Sequence, residues 1–230
     1  MSLIGALHTG QSGLSASQAA IQVTGNNISN AGDADYARET VQTSPAPGQQ
    51  LKPGMFVGSG VDLTSIQRQV DEALLGRLRS SVSDNQAAST TQQWLKQVQS
   101  VFDALGTDNL QTSMSDFFSS WSGLANKPQD AGQRQIVLQD GDTLAKKFGS
   151  QIQQLNALSS EVTTQVGFQA EAADTLASQV ATLNGQIVVA EGGTGGAANA
   201  LRDQRDATLK QLSQLMNITT VQQPNGAIDV

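Results

Sequence analysis

The chain has 230 residues, 20 acidic against 13 basic side chains, a net charge of −7, one histidine and no cysteine. That balance excludes binding of nucleic acid or an anionic membrane through a broad basic surface, and the counts exclude disulfides, thiolate metal sites, Cys-His catalysis and multi-histidine metal centres. With six Phe, two Trp and one Tyr among abundant Gln, Ser and Ala, the composition suits long helices zipped through small side chains better than a thick globular centre.

Leu7, Leu14, Ile21 and Ile28 recur every seven residues, with Leu3, Ser17 and Thr24 on companion positions. This heptad spacing predicts a helix that packs lengthwise on another helix. No charged residue precedes Asp33, and the rest of the surface is Ser, Gln, Ala, Thr and Gly, so the helix has low intrinsic stability and needs cover for its single stripe. The cover is either the chain's own domain or a partner. The pattern runs into Gly25-Asn26-Asn27-Ile28-Ser29-Asn30-Ala31 and then a turn before Tyr36.

Glu39 to Thr43 alternates in character, Pro45-Ala46-Pro47-Gly48 breaks the chain, and Met55 to Val61 reads as a Gly-punctuated strand, together predicting a long β-hairpin. Gly58-Ser59-Gly60 lacks the following Lys-Ser/Thr and third spaced glycine of a phosphate loop. Helices are predicted from Ser65 to about Met216. Ile66, Val70, Leu74, Leu78 and Val82 mark a first face, resumed by Leu95, Val98, Phe102 and Leu105 and ended by Gly106 and Thr107-Asp108-Asn109. A short helix over residues 113–125 carries Phe117, Phe118, Trp121 and Leu124 on its expected buried side. Pro128 and Asp130 suit the first turn of the next helix.

From Phe148 the alternating four- and three-residue spacing runs through Ile152, Leu155, Ser159, Val162, Val166, Gln169, Ala173, Leu176, Val180, Leu183 and Ile187. A continuous helix over residues 128–190 would span about 90 Å at about 1.5 Å per residue, although Gly141, Gly149 and Gly167 are points where it could bend or break. Gly192-Gly193-Thr194-Gly195-Gly196 predicts a flexible turn between antiparallel helices. The helix after it carries Asp203-Gln204-Arg205-Asp206, then Leu209, Leu212 and Leu215. Arg202 and Asp206 are spaced for an intrahelical ion pair, and Asp203 with Asp206 reads as a solvated charged face, not a catalytic carboxylate pair. Ile218 to Val221 and Ala227 to Val230 read as a hairpin about Asn225-Gly226, and the chain stops inside it, which predicts further strands in a longer native protein.

No catalytic constellation emerges. His8 would have to serve a triad from a terminal helix, and Asp140-Gly141-Asp142 lacks the spaced oxygens and distal Glu of a calcium loop. The N-terminus lacks a basic segment followed by an apolar core, and no run approaches the roughly twenty apolar residues of a membrane span.

Ser12-Gly13-Leu14, Gly25 to Ala31 and Tyr36-Ala37-Arg38-Glu39 resemble the N-terminal signature of bacterial flagellar rod, hook and hook-associated proteins. Gly32-Asp33-Ala34-Asp35 departs from the Asn-Thr-x-Gly usual before the tyrosine, with Asp still able to support a turn. The long coil and Asp203-Gln204-Arg205-Asp206 resemble the hook–filament junction members of that family. The resemblance implies a non-enzymatic structural subunit without cofactors. Its expected fold is mainly α, an elongated helical coiled-coil bundle with a small β-hairpin region near the N-terminus and the start of a β domain at the end. The expected division is an axial helix with hairpin over residues 1–64, a helical bundle over 65–217 and the start of a β domain over 218–230.

It further implies subunit packing through Leu7, Leu14, Ile21 and Ile28 and an axial-motif turn at Asn26, Asn27, Asn30 and Tyr36. The N-terminal helix of the family pairs with a C-terminal helix that this sequence lacks. Implied partners are other copies of the chain, hook protein, a second junction protein, the export apparatus and an export chaperone, with neither nucleic acid nor membrane insertion. The implied location is the extracellular flagellum, reached through type III export without a cleaved signal. Alternatives are a hook or distal-rod subunit, or a secreted helical adhesin or binding module.

Overall fold

The computed structural model describes residues 3–102, 106, 109–192 and 198–230. Among them the chain is mainly α, with five helices and three small antiparallel strand pairs. Leu105, Thr107 and Asp108 of the predicted helix end, and the glycine-rich turn beyond Gly192, lie outside the described residues. The chain divides into two compact units, one of Met1–Ser83 with Ala173–Val230 and one of Asp84–Ala172.

The first unit opens with α1 (Leu3–Ser29). Its Thr9, Ser17 and Thr24 hydroxyls donate to carbonyls four residues back, absorbing polar groups that otherwise compete with the helix. The predicted hairpin is present but interrupted. β1 (Glu39–Pro45) pairs with β4 (Val61–Arg68), while β2 (Gln49–Lys52) pairs with β3 (Met55–Val57) as a separate antiparallel pair. Gly54, in the β2–β3 turn, has φ +82°, a conformation glycine adopts without a Cβ penalty.

Ile66 and Val70 therefore do not belong to the first long helix, contrary to the sequence reading. Ile66 faces Val41 in the β1–β4 ladder, and α2 (Glu72–Phe102) starts only after Asp71, whose carboxylate accepts from the Leu74 N–H at 3.0 Å. An apolar spacing of four is legible as either a helical face or two strand positions, and ladder pairing decides for the strand.

The end of α4 (Ala131–Glu191) and α5 (Asn199–Leu215) complete the first unit with β5 (Val221–Gln222) and β6 (Ile228–Asp229). The predicted seam is deeply buried only here, at Val180, Leu183 and Ile187, beside the buried Leu209, Leu212 and Ile228. Val180, Leu209 and Ile228 form one cluster with Ile218 packed against it. The β5–β6 turn is shifted from the predicted Asn-Gly pair. Pro224 and Asn225 occupy its centre, the Gly226 N–H returns to the Gln223 carbonyl, and Gly226 follows at φ +88°.

In the second unit, Asn109 caps α3 (Leu110–Asn126) by accepting from the Thr112 N–H at 2.8 Å. The inward stripe is Leu110, Ser113, Phe117, Ser120 and Leu124. A Cβ on Gly141 would stand 3.4 Å from the Phe117 ring, so this glycine admits an aromatic against α4 without breaking it. Phe118 and Trp121, expected on the buried side, are instead exposed. One helix can turn only a single stripe inward, and the small serines let that stripe approach closely. Pro128 precedes α4 rather than opening it, and Asp130 caps the helix by accepting from the Gly132 and Gln133 N–H groups.

Candidate assembly surface and its support

α1 has two faces with different fates. Val23 is 5% exposed, and Ser12, Ala16, Ala19, Asn27 and Asn30 on the same side are partly buried toward β1 and β4. The heptad residues lie on the other face, with Leu7 71%, Leu14 61%, Ile21 72% and Ile28 72% exposed. The small-residue side packs closely on the strands, leaving four large aliphatic side chains in solvent.

Two contacts hold α1 at this rotation, the first at residues not singled out as a site from the sequence and the second at the predicted turn residues Asn27 and Tyr36. Near its start, the Ser12 hydroxyl accepts from the Val61 N–H at 3.2 Å. Gly60, at φ +105°, comes so near that an added Cβ would be 2.1 Å from Ser12 Oγ. Gly58-Ser59-Gly60 was the available signal: a glycine inside a strand pattern marks close backbone approach as well as a turn.

At the other end, Asn27 is the hub of the motif. Its Oδ1 accepts from Tyr36 Oη at 2.9 Å and the Glu39 N–H at 2.8 Å, while Nδ2 donates to the Glu39 carbonyl at 2.8 Å. One amide thus joins the helix, the turn and the first residue of β1. Asn30 Nδ2 donates back to the Asn26 carbonyl at 3.0 Å, so Asn26 contributes its backbone here. The Asp33 carboxylate accepts from the Asp35 N–H at 2.9 Å, closing the departed segment as an Asx turn. Burial, then the negative charges of Glu39 and Asp203, raise the Tyr36 hydroxyl pKa above its ordinary value, favouring the neutral donor Asn27 needs.

The structure brings the predicted turn residues beside the Asp203-Gln204-Arg205-Asp206 segment. Asn26, Asn30 and Tyr36 share a cleft of about 500 Å³ with Asp203 and Gln204 of α5. Asp203 and Asp206 are not a solvated face: Arg68 of β4 bridges them, its Nε 2.7 Å from Asp203 Oδ1 and its Nη2 paired with Asp206. Burial raises the Asp203 pKa despite the opposing pull of Arg68 and the Ala37 N–H. Asn199 Nδ2 adds a bond to the Ile66 carbonyl at 3.0 Å, and Lys210 pairs with Asp35 at 2.8 Å.

Arg202 likewise does not pair with Asp206 as its spacing allowed. It forms a two-pronged pair with Glu191, Nε to Oε1 at 2.7 Å and Nη2 to Oε2 at 2.8 Å, and Glu191 also accepts from the Ala198 N–H at 3.0 Å. Bidentate geometry with an opposing carboxylate outcompetes a single-turn intrahelical contact. The Arg202 bond holds the Glu191 carboxyl below its ordinary value. Arg205 is 1% exposed and donates to Asn184 Oδ1 at 3.0 Å and the Gly226 carbonyl at 2.7 Å. Burial lowers its pKa. Asp203, Arg205 and Asp206 therefore face two different neighbours from adjacent positions, tying α5 to β4 on one side and to α4 and the last hairpin on the other.

Among the described residues there is no metal-holding cluster of acidic, His or Cys side chains, and no helix is long and apolar enough to cross a membrane. The fold is that of a mainly helical protein with an exposed aliphatic stripe on a helix held at both ends by uncharged contacts.

Residues 95–230 match the model of the flagellar hook-associated protein FlgK helical domain, and residues 7–31 match that of the flagella basal body rod protein. The first match covers more than half of the chain, and the chain belongs to the FlgK family of flagellar hook-associated proteins. This is a family of flagellar structural proteins, not of enzymes. Flagellar hook-associated protein 1 of Escherichia coli K12 is 29% identical over 97% of the chain and 41% of the relative, and that of Bacillus subtilis 168 is 27% identical over 96% and 44%. The solved flagellar hook junction protein FlgK from Burkholderia pseudomallei superposes with a TM-score of 0.58 at 27% identity, covering 66% of this chain and 26% of that one. The chain thus spans about two fifths of the length of the curated relatives it matches.

Proposed function

We propose that the chain is the part of a junction subunit that builds the connection between flagellar hook and filament, with α1 as its packing element. The observation that carries this reading is the exposed Leu7, Leu14, Ile21 and Ile28 stripe on a helix whose opposite face is already occupied. Such a stripe gains stability only when another helix covers it, and lengthwise packing of many copies produces a tube. The Asn26, Asn27, Asn30 and Tyr36 turn sets the angle at which the helix leaves the hairpin, and Asp203 to Asp206 secure the strand below it. In this reading residues 1–64 make the axial contact, 65–217 form the helical body and 218–230 begin a further β region.

The partners are further copies of the chain, hook protein and a second junction protein, after delivery by the export apparatus with an export chaperone. The site of action is the extracellular flagellum, reached by the type III route without a cleaved signal. No chemistry is required of any side chain: the work is to transmit torque across subunit contacts.

The test replaces the chromosomal gene with Leu14→Asp or Ile21→Asp and examines cells by electron microscopy. Hooks without filaments are expected, with the purified variant retaining its helical circular dichroism. Normal filament attachment sinks the assignment of the stripe, missing hooks point to a hook or distal-rod subunit, and normal flagella in a gene deletion point to a secreted adhesin or binding module.

A further inference from the structure

Two Asn-Gly dipeptides stand in the first unit, Asn184-Gly185 in α4 and Asn225-Gly226 in the turn between β5 and β6. Asparagine before glycine is the pair most open to an internal reaction, because glycine has no side chain to shield its backbone nitrogen from the asparagine carboxamide. The tertiary structure treats the two pairs differently.

Asn184 is held at both ends of its amide. Its Oδ1 accepts from Arg205 Nη1 at 3.0 Å and from the Ile228 N–H at 3.0 Å, while its Nδ2 donates to the Ile228 carbonyl at 2.8 Å. The Gly185 N–H is spent in the α4 ladder. Neither group can turn toward the other without breaking several bonds at once. Asn225 is exposed, and its Oδ1 accepts from the Ala227 N–H at 3.1 Å. That bond closes an Asx turn, which folds the carboxamide carbon back over the peptide link to Gly226 and draws electrons from it. The attacking nitrogen is restrained by one bond, from the Gly226 N–H to the Gln223 carbonyl at 3.0 Å.

We infer that Asn225 is a self-modification site, converting through a cyclic imide to aspartate and isoaspartate while Asn184 stays intact. The Gly226 nitrogen gives up its proton and attacks Asn225 Cγ. The new C–N bond replaces the bond to Nδ2, which takes up that proton and leaves as ammonia. Water then opens the imide, its hydroxyl adding to one carbonyl carbon and its hydrogen to the nitrogen. Opening at Cγ gives aspartate, and opening at the main-chain carbonyl gives isoaspartate, whose backbone is longer by one methylene. The site has no room for that methylene. Gly226 is packed so closely that an added Cβ would lie 2.5 Å from Glu191 Oε2 and 3.3 Å from Ile187 Cγ2, and Arg205 holds its carbonyl at 2.7 Å. β5 and β6 share only the pairs Val221 with Asp229 and Gln222 with Ile228, too few to keep a hairpin folded without docking. Isoaspartate therefore releases Ile228 from its buried place against Val180 and Leu209.

The experiment ages the full chain in mildly alkaline buffer, folded or in guanidinium chloride, and maps its peptides by mass spectrometry with electron-transfer fragmentation, which separates aspartate from isoaspartate. In denaturant both asparagines should convert at comparable rates. Folding should slow Asn225 by no more than about tenfold, the worth of one hydrogen bond, and Asn184 by at least about a thousandfold. Asn225→Gln should remove the product, since the longer side chain must close a larger ring. In the isoaspartate fraction the Ile228 amide should exchange at least about tenfold faster, whereas Asn225→Asp, which adds the charge without the methylene, should leave it protected. Equal conversion of the two asparagines in the folded chain, or slowing of Asn225 by more than about a hundredfold on folding, overturns the site. Unchanged Ile228 protection in the isoaspartate fraction, or equal loss of protection in Asn225→Asp, overturns the consequence drawn for the hairpin.

Discussion

Gly60→Ala isolates the contact that sets the rotation of α1. The new Cβ would lie 2.1 Å from Ser12 Oγ and 3.3 Å from both Ser12 Cβ and Thr9 Cα, so the hydroxyl must swing away by about 1 Å or more and release the Val61 N–H. Losing that bond costs about 1 kcal/mol, and holding alanine near φ +105° adds about 1–3 kcal/mol, for a total of about 2–4 kcal/mol. Native-state amide exchange reads this directly: α1 and the Val61 amide should exchange about 30- to 1000-fold faster, while the second unit stays protected. Ser12→Ala alone should cost about 1 kcal/mol, and the double variant should be about 1 kcal/mol more stable than the sum of the singles, because the hydroxyl that clashes is gone. Strict additivity, or a Gly60→Ala effect below about 0.5 kcal/mol, would refute the docking geometry.

Three further outcomes follow from the polar anchors. Asn27→Ala removes one acceptor and one donor shared by Tyr36 and Glu39 and should destabilise the turn by about 1–3 kcal/mol, seen as faster exchange of the Glu39 amide. Arg68→Met leaves Asp203 and Asp206 facing each other without their bridge and should cost about 3–5 kcal/mol in urea unfolding, with Asp206→Asn in the same chain recovering part of it. Glu191→Gln should destabilise at pH 7 by an amount that fades on acidification. The folded carboxyl sits below its ordinary 4.5, so its stabilisation is present above that value and is lost as pH falls through the lower folded value. A cost that stays constant from pH 7 to pH 3 would contradict the role of the ionised pair with Arg202.

Element type was largely readable where one rule dominated. The uncharged heptad helix, the Gly-punctuated hairpin and the long seam through Ile187 all follow from local periodicity and turn chemistry, whereas Asn109, read as part of a helix end, caps the start of α3 instead. Gly141, Gly149 and Gly167 did not interrupt α4, because one glycine costs a helix only about 1 kcal/mol and packing offsets it. Legibility failed where two local patterns coincide. Ile66 and Val70 fit a helical stripe until β1 claimed Ile66, and the aromatics of α3 outnumbered the one face that could be covered.

The site divides along the same line. Sequence alone determined that α1 carries an aliphatic stripe with nothing charged beside it and that a turn lies between the end of this helix and Tyr36. Only the tertiary structure decided that the stripe stays exposed while Val23 and the small residues are covered, since amphipathicity has no sign until a neighbour occupies one face. Tertiary structure likewise decided the partners of the charges. Arg202 and Asp206 satisfy the spacing rule for each other, yet Glu191 and Arg68, distant in sequence, give them better geometry and less water. Spacing along one helix fixes which ion pairs are possible, and burial between elements determines which of them form.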